Sequence, residues 1–397
     1  MMNKIKSTRI ESIDILRGLV MIIMALDHVR DYTNVGYVFG DPTNMDTTTP
    51  SLFFTRWITH FCAPVFVFLA GTSAFLYGSK KSSKSTLSKF LFTRGLWLIF
   101  IELTIVNFAW TFDFNLDLHI FQVIWAIGIC MVLLAVLIYL PKKVLLVLGL
   151  IIVFGHNALD GITMQGNDPL AILWYLIHQQ NFVILDGGES VLFIAYPILP
   201  WLGIMILGYC FGHFYTRDFN VQLRKKWLLI LGFASIALFV VLRYINVYGD
   251  LVPWSVQKDS TFTFLSFINT AKYPPSLLYT LMTLGPAMLF LYSIESVKNA
   301  ITNVLIVIGR VPFFYYILHL YLIHLIGLIG LNILGENWRE LILTPTRFTS
   351  GYLADKGFDL WVTYAVWLIV VIVLYPFCKM FMRYKANNRD KWWLSYL

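Results

Sequence analysis

The chain has 397 residues, of which 58% are hydrophobic, 17% aromatic and only 13% charged. Soluble domains carry about 25% charged residues, so this composition excludes an ordinary soluble protein and points to an all-α integral membrane protein set in a lipid bilayer. The net charge of +8 falls in loops, where topology accounts for it, and no nucleic-acid partner is needed.

Hydropathy gives ten candidate spans, at 13–33, 52–78, 88–112, 118–140, 143–157, 191–215, 227–247, 276–297, 301–333 and 360–384. The first lies within Ser12–Tyr32, SIDILRGLVMIIMALDHVRDY. It carries Asp14 and Arg17 near one end and Asp27, His28 and Arg30 near the other. A charge at the centre of a span costs roughly 2.5–3.5 kcal/mol. This helix is therefore expected to turn its charges into a protein interior, with the rest of the chain built round it. The second span holds Arg56 and His60, four apart and so on one helix face. The third opens with Arg94 and carries Glu102; Asp113, Asp117 and His119 follow at the next outer turn.

Residues 156–190, with Trp174, Tyr175 and His178, read as a lid or surface helix that ends in the loop Asp186-Gly187-Gly188-Glu189. Pro197 and Pro200 suggest a broken entry to the sixth span. A second outer segment ends in Ala271-Lys272-Tyr273-Pro274-Pro275-Ser276, whose prolines set a rigid approach to the next helix. The span at 301–333 is long enough to be bent or broken at Pro312. The tail, with Lys391-Trp392-Trp393, suits an interfacial anchor. No soluble domain, linker or internal repeat is visible.

Lysine and arginine set the expected orientation. With the N-terminus inside, nineteen of the 30 fall in inner segments, whereas the outer loops hold only Lys258, Lys272, Arg339, Arg347 and Lys356. Both termini are expected in the cytoplasm. The charged lead and apolar run lack a small-residue cleavage site and do not read as a removable signal peptide. Cys62, Cys130, Cys210 and Cys378 form no CxxC pair and are expected to pack in the core. His319 and His324, five apart, do not share a helix face, and no metal is expected from the histidine spacing.

Sorted by depth, the outer level collects Asp27, His28, Arg56, His60, His119, Lys272, His319 and His324. Imidazole titrates near neutral pH, and a histidine beside a carboxylate is the usual equipment of a general base. Asp27 and His28 diverge by about 100° on a helix, however, so they need not touch. The inner level collects Asp14, Arg17, Arg94 and Arg310, a set suited to phosphate. Each also fits a plainer role: Asp14 and Arg17 as an interfacial ion pair, Arg94 and Arg310 as snorkelling side chains, His324 as a packing residue at the outer interface. Arg17 and His28 lie about 16 Å apart along a helix, less than the ~30 Å hydrocarbon core.

Ile13-Asp14-Ile15-Leu16-Arg17-Gly18 followed by His28 looks like the first-helix signature of membrane acyltransferases, and Phe66-Val67-Phe68-Leu69-Ala70-Gly71 is similar to their FFxLSG element. More narrowly, these segments, with YPILPWLGIMILGY, KYPPSLLYTLMTLGPA and GRVPFFYYILHLYLIH, resemble the bacterial branch related to heparan-α-glucosaminide N-acetyltransferase, over most of the chain. The resemblance implies one transmembrane domain over 1–397, in a bacterial inner membrane, that moves an acyl group, expected to be acetyl, by O- or N-transfer from cytoplasmic acetyl-CoA to an extracytoplasmic sugar or glycan acceptor. Arg17, Arg94 and Arg310 would hold the CoA phosphates. His28 would be base or nucleophile, assisted by Asp27 or His60. Arg56, Lys272, Tyr273 and His319 would meet the acceptor. The family's catalytic histidine lies between the first helix and the element matched by APVFVFLAG; residues 33–53 here contain none, which leaves His28 and His60 as substitutes. An oligomer is compatible with the sequence. The alternative is a transporter of a polar metabolite or glycan that uses the same cluster for proton coupling.

Overall fold

A computed structural model describes residues 10–35, 40–81, 83–388 and 390–395. The basic lead residues Lys4, Lys6 and Arg9, Arg389 of the tail and the middle of the first outer loop lie outside the described residues. The helices are α1 (Glu11–Thr33), α2 (Pro50–Thr59), α3 (Cys62–Gly78), α4 (Lys84–Ile101), α5 (Val123–Leu137), α6 (Lys142–Gly155), α7 (Pro169–Ile177), α8 (Ile198–Phe211), α9 (Val221–Ile245), α10 (Ser260–Ile268), α11 (Leu277–Ile294), α12 (Ala300–Gly309), α13 (Pro312–Ile333) and α14 (Leu360–Asn387). Short helical turns lie at Asn107–Thr111 and Pro345–Thr349.

A helix stands at each of the ten expected spans. Among the described residues, eight stretches are long and apolar enough to cross a membrane. The chain is an all-α membrane protein with multiple passes. Helix α1 has the length but is set apart by its charges, and α5 is short because its expected span begins as a strand, β1 (Leu118–Phe121). The span at 301–333 breaks between α12 and α13, with Pro312 opening the second helix. The span at 52–78 also breaks, at His60. Pro64 has no N–H to return to the His60 carbonyl, and that carbonyl instead accepts the Tyr279 hydroxyl at 2.7 Å.

The segment read as a surface helix is only partly helical. After α7 come β2 (Asn181–Leu185) and β3 (Ser190–Ile194), antiparallel partners joined at the Asp186–Glu189 turn. Strand β1 pairs parallel to β3, giving the order β1-β3-β2. β-Branched and aromatic residues either side of a Gly-Gly turn are the local signal for this hairpin.

Helix α1 is the hub. It packs against α2, α3, α11, α12, α13 and α14, and most of its residues, including Asp14, Asp27, His28 and Arg30, are buried. Gly18 and Gly309 let the backbones of α1 and α12 touch: a methyl carbon added to Gly309 would lie 1.9 Å from the Asp14 carbonyl oxygen. Gly309→Ala is expected to push the helices apart and cost about 1–3 kcal/mol or more, seen as a lower melting temperature in detergent; an unchanged melt would contradict this packing. All four cysteines are free, and Cys62, Cys130 and Cys378 are buried in the core as expected.

Candidate active site

Among the cavities of the described residues, two take in the expected site residues, one toward each end of the bundle. The inner one, about 340 Å³, has three arginines in its wall: Arg17 on α1, Arg94 on α4 and Arg310 just past the end of α12. Lys385 joins them, and Met21, Met24, Phe66 and Leu69 supply an apolar lining. Asp14 organises the basic wall. Its Oδ1 accepts from Arg17 at 3.2 Å and its Oδ2 lies 3.5 Å from Arg310 Nε. Arg17 also donates to Ser73 Oγ at 3.0 Å and to the Gly309 carbonyl at 3.3 Å. The Asp14–Arg17 ion pair therefore exists, and the same arginine also faces a cavity.

The outer cavity, about 870 Å³, takes in Asp27, His28, Arg30, Arg56, His60, Lys272 and Tyr273. The sheet roofs part of it through Ile120, Phe182 and Phe193. Asp27 does not serve His28. Both of its oxygens are held by Arg56, at 2.8 and 2.6 Å, with Arg30 at 2.7 Å and the Thr59 hydroxyl at 2.9 Å. The partner of His28 comes from α13: His28 Nδ1 lies 2.7 Å from Nε2 of the fully buried His319.

The tautomers follow from the acceptors. His319 Nδ1 faces the Tyr315 carbonyl at 3.1 Å, so that nitrogen donates. In a neutral ring Nε2 then accepts, and His28 must donate from Nδ1. His28 is left with an unprotonated Nε2 that makes no hydrogen bond among the described residues, on a side chain that lines the outer cavity. Two rings hold the imidazole in place. Trp110, in the outer cavity wall, meets it edge-on at 4.9 Å. Tyr316, in the inner cavity wall, meets it at 6.4 Å and His319 at 5.5 Å. His28 thus stands in the partition between the cavities.

The remaining expected residues divide. His60 lines the outer cavity, is buried, and has an unpartnered Nδ1. Lys272 lies over the Tyr273 ring at 5.0 Å. Burial alone would raise the Tyr273 phenol, but the Lys272 and Arg56 cations outweigh it and hold the phenol below its ordinary range. His119, half-buried on β1, lines neither cavity, and burial pulls its imidazole below the usual range. His324 is a brace: its nitrogens face the Ala109 and Leu341 carbonyls at 2.8 and 2.9 Å.

Sequence reasoning missed Arg30, whose Nε and Nη1 are buried without partners beside the outer cavity. It also missed Trp110, Tyr316, Ser73 and Lys385 as cavity residues. Arg30 had a readable signal, three residues after Asp27 on one face. Tyr316 had another, three before His319 on α13. Glu102 opens a π-helical turn, Glu102–Val106, a form often found at functional sites. One of its oxygens accepts from the Gln122 amide at 2.9 Å and the other is buried without a partner.

A protein-family model described as heparan-alpha-glucosaminide N-acetyltransferase, catalytic, matches residues 9–244, more than half of the chain. No curated protein matches. The matched stretch carries His28, Asp27, Arg17, Arg94, Arg56 and His60; Lys272, Arg310 and His319 come from beyond it.

Proposed function

Because the chain belongs to the heparan-α-glucosaminide N-acetyltransferase catalytic family, and is a membrane acetyltransferase-type protein, we propose that it transfers an acetyl group from cytoplasmic acetyl-CoA to an extracytoplasmic sugar or glycan acceptor. One observation carries this reading: His28 stands between an arginine-walled inner cavity and a polar outer cavity. Transfer across a bilayer needs a donor and an acceptor to meet from opposite sides, and that partition is where they would meet. The whole chain acts as one unit, with both termini cytoplasmic in a bacterial inner membrane.

Arg17, Arg94 and Arg310 bind the CoA phosphates with charge-assisted hydrogen bonds, while the methionines and Phe66 cover the pantetheine arm. The thioester reaches the level of Tyr316 and His28. The acceptor hydroxyl or amine, held by Arg56, Lys272 and Tyr273, attacks the thioester carbonyl as His28 Nε2 takes its proton. The C–S bond breaks, the acyl group passes to the acceptor oxygen or nitrogen, and the leaving thiolate recovers the proton from the imidazolium. Asp27 and His60 shape the cavity beside this step.

Calorimetric titration of the purified protein with acetyl-CoA is expected to show saturable binding. Arg17→Gln and Arg94→Gln should each weaken it about 10–100-fold, as loss of one charge-assisted hydrogen bond implies. No binding, together with solute flux into proteoliposomes, would replace this reading with a transporter.

A further inference from the structure

Away from both cavities, at the outer end of α6, three side chains converge. His156 caps α6, Asp160 follows one turn later, and His178 caps α7. One ligating atom from each lies within 4.8 Å of the others. His178 Nε2 and Asp160 Oδ1 are already 3.0 Å apart, close to the separation of about 3.4 Å between ligand atoms around a tetrahedral zinc ion. The two imidazoles meet edge-on with centroids 5.5 Å apart.

Both histidines are 3% exposed, and the Nδ1 of each is buried without a partner. No hydrogen bond reaches either nitrogen of His156 from a described residue. A buried polar atom without a partner is costly, and His156 offers one in the same cluster as Asp160 and the Nε2 of His178. Asp160 is oriented for a further role as well. Its Oδ2 accepts from Asn157 Nδ2 at 2.8 Å, while Asn157 Oδ1 accepts from the Leu277 amide that opens α11. A hydrogen bond fixing a ligating carboxylate is the usual support of a metal centre.

We infer that His156, Asp160 and His178 form a zinc site that clips the α7 segment to the end of α6. Two imidazoles and one carboxylate are a common zinc donor set, with water completing the tetrahedron. The sequence did not suggest it because the two histidines cap different elements and the motif exists only after folding. The clip steadies the roof of the outer cavity from behind, since α7 leads directly into β2, and Asn157 ties it to the helix that follows Lys272 and Tyr273.

The test uses full-length protein without a polyhistidine tag, stripped with chelator and titrated with Zn²⁺. One zinc per chain is expected, with a rise in melting temperature on loading. Co²⁺ in its place should give the intense visible bands of a tetrahedral site. His156→Ala and His178→Ala should weaken zinc binding at least about 100-fold, and Asn157→Ala about 10–100-fold, whereas His28→Ala should bind like the wild type. A folded, monodisperse wild-type protein that takes up no zinc overturns the site, as does full zinc retention in Asn157→Ala or in both histidine variants. The wild-type titration decides the matter even if a variant fails to fold.

Discussion

His28→Ala is expected to lower the acetyl-transfer rate about 10²–10⁴-fold, the range of a lost general base, while acetyl-CoA binding stays within about twofold of wild type. The expectation rests on where the free nitrogen points. The Tyr315 carbonyl takes the Nδ1 proton of His319, which sets the tautomer of His319 and, through it, that of His28. His319 acts through His28 and is a positioning residue. Its replacement should therefore have a distinctive signature. His319→Leu removes the acceptor of the His28 Nδ1 proton, lets the ring choose either tautomer, and should lower kcat with little change in KM and a shifted pH–rate profile. His319→Gln, whose amide oxygen can accept that proton, should restore part of the rate and of the profile. Wild-type activity in His28→Ala would remove this histidine from the reaction. Equal loss in His319→Leu and His319→Gln, with an unmoved pH profile, would reduce His319 to packing.

The histidine pair also marks how far the sequence could be read. Charges in a membrane-spanning stretch announced that α1 must face protein, and it is the hub of the bundle. Depth sorting grouped Arg17, Arg94 and Arg310 because a span is a ruler: position along it gives height, and all three share one cavity. Azimuth is another matter. Which residue on α13 faces His28 depends on how two helices rotate against each other, and that is decided by packing such as the Gly18 and Gly309 contact, far from either histidine. For the same reason His319 was assigned to the acceptor, although it lies behind His28 and lines neither cavity. The sheet was missed because β1 and β3 each run on into an apolar helix, so hydropathy merges strand and span.

Asp27 provides the sharpest contrast between a residue type that suggests catalysis and surroundings that suggest support. An aspartate next to a histidine in the chain invites a dyad, but its oxygens are occupied by Arg56, Arg30 and Thr59. Arg30 is 1% exposed and already has two donors without partners. Asp27→Ala would strip the part-buried Arg56 of its counter-charge and leave Arg30 with Asp31 alone, 2.7 Å away. Breaking a buried ion pair from one side costs about 3–5 kcal/mol, against a typical total stability of about 5–15 kcal/mol. The expected result is a large drop in melting temperature and in the yield of monodisperse protein, with acetyl transfer lost only as folded protein is lost. Asp27→Asn keeps the acceptor for Thr59 but not the charge, and should fall between the two. Substituting Arg56→Met as well should recover part of the stability lost in Asp27→Ala, because it removes the stranded cation; non-additivity of that kind is the mark of a direct pair. An Asp27→Ala protein that melts like the wild type, binds acetyl-CoA normally and transfers nothing would instead place the carboxylate in the chemistry, acting on the acceptor alongside His28.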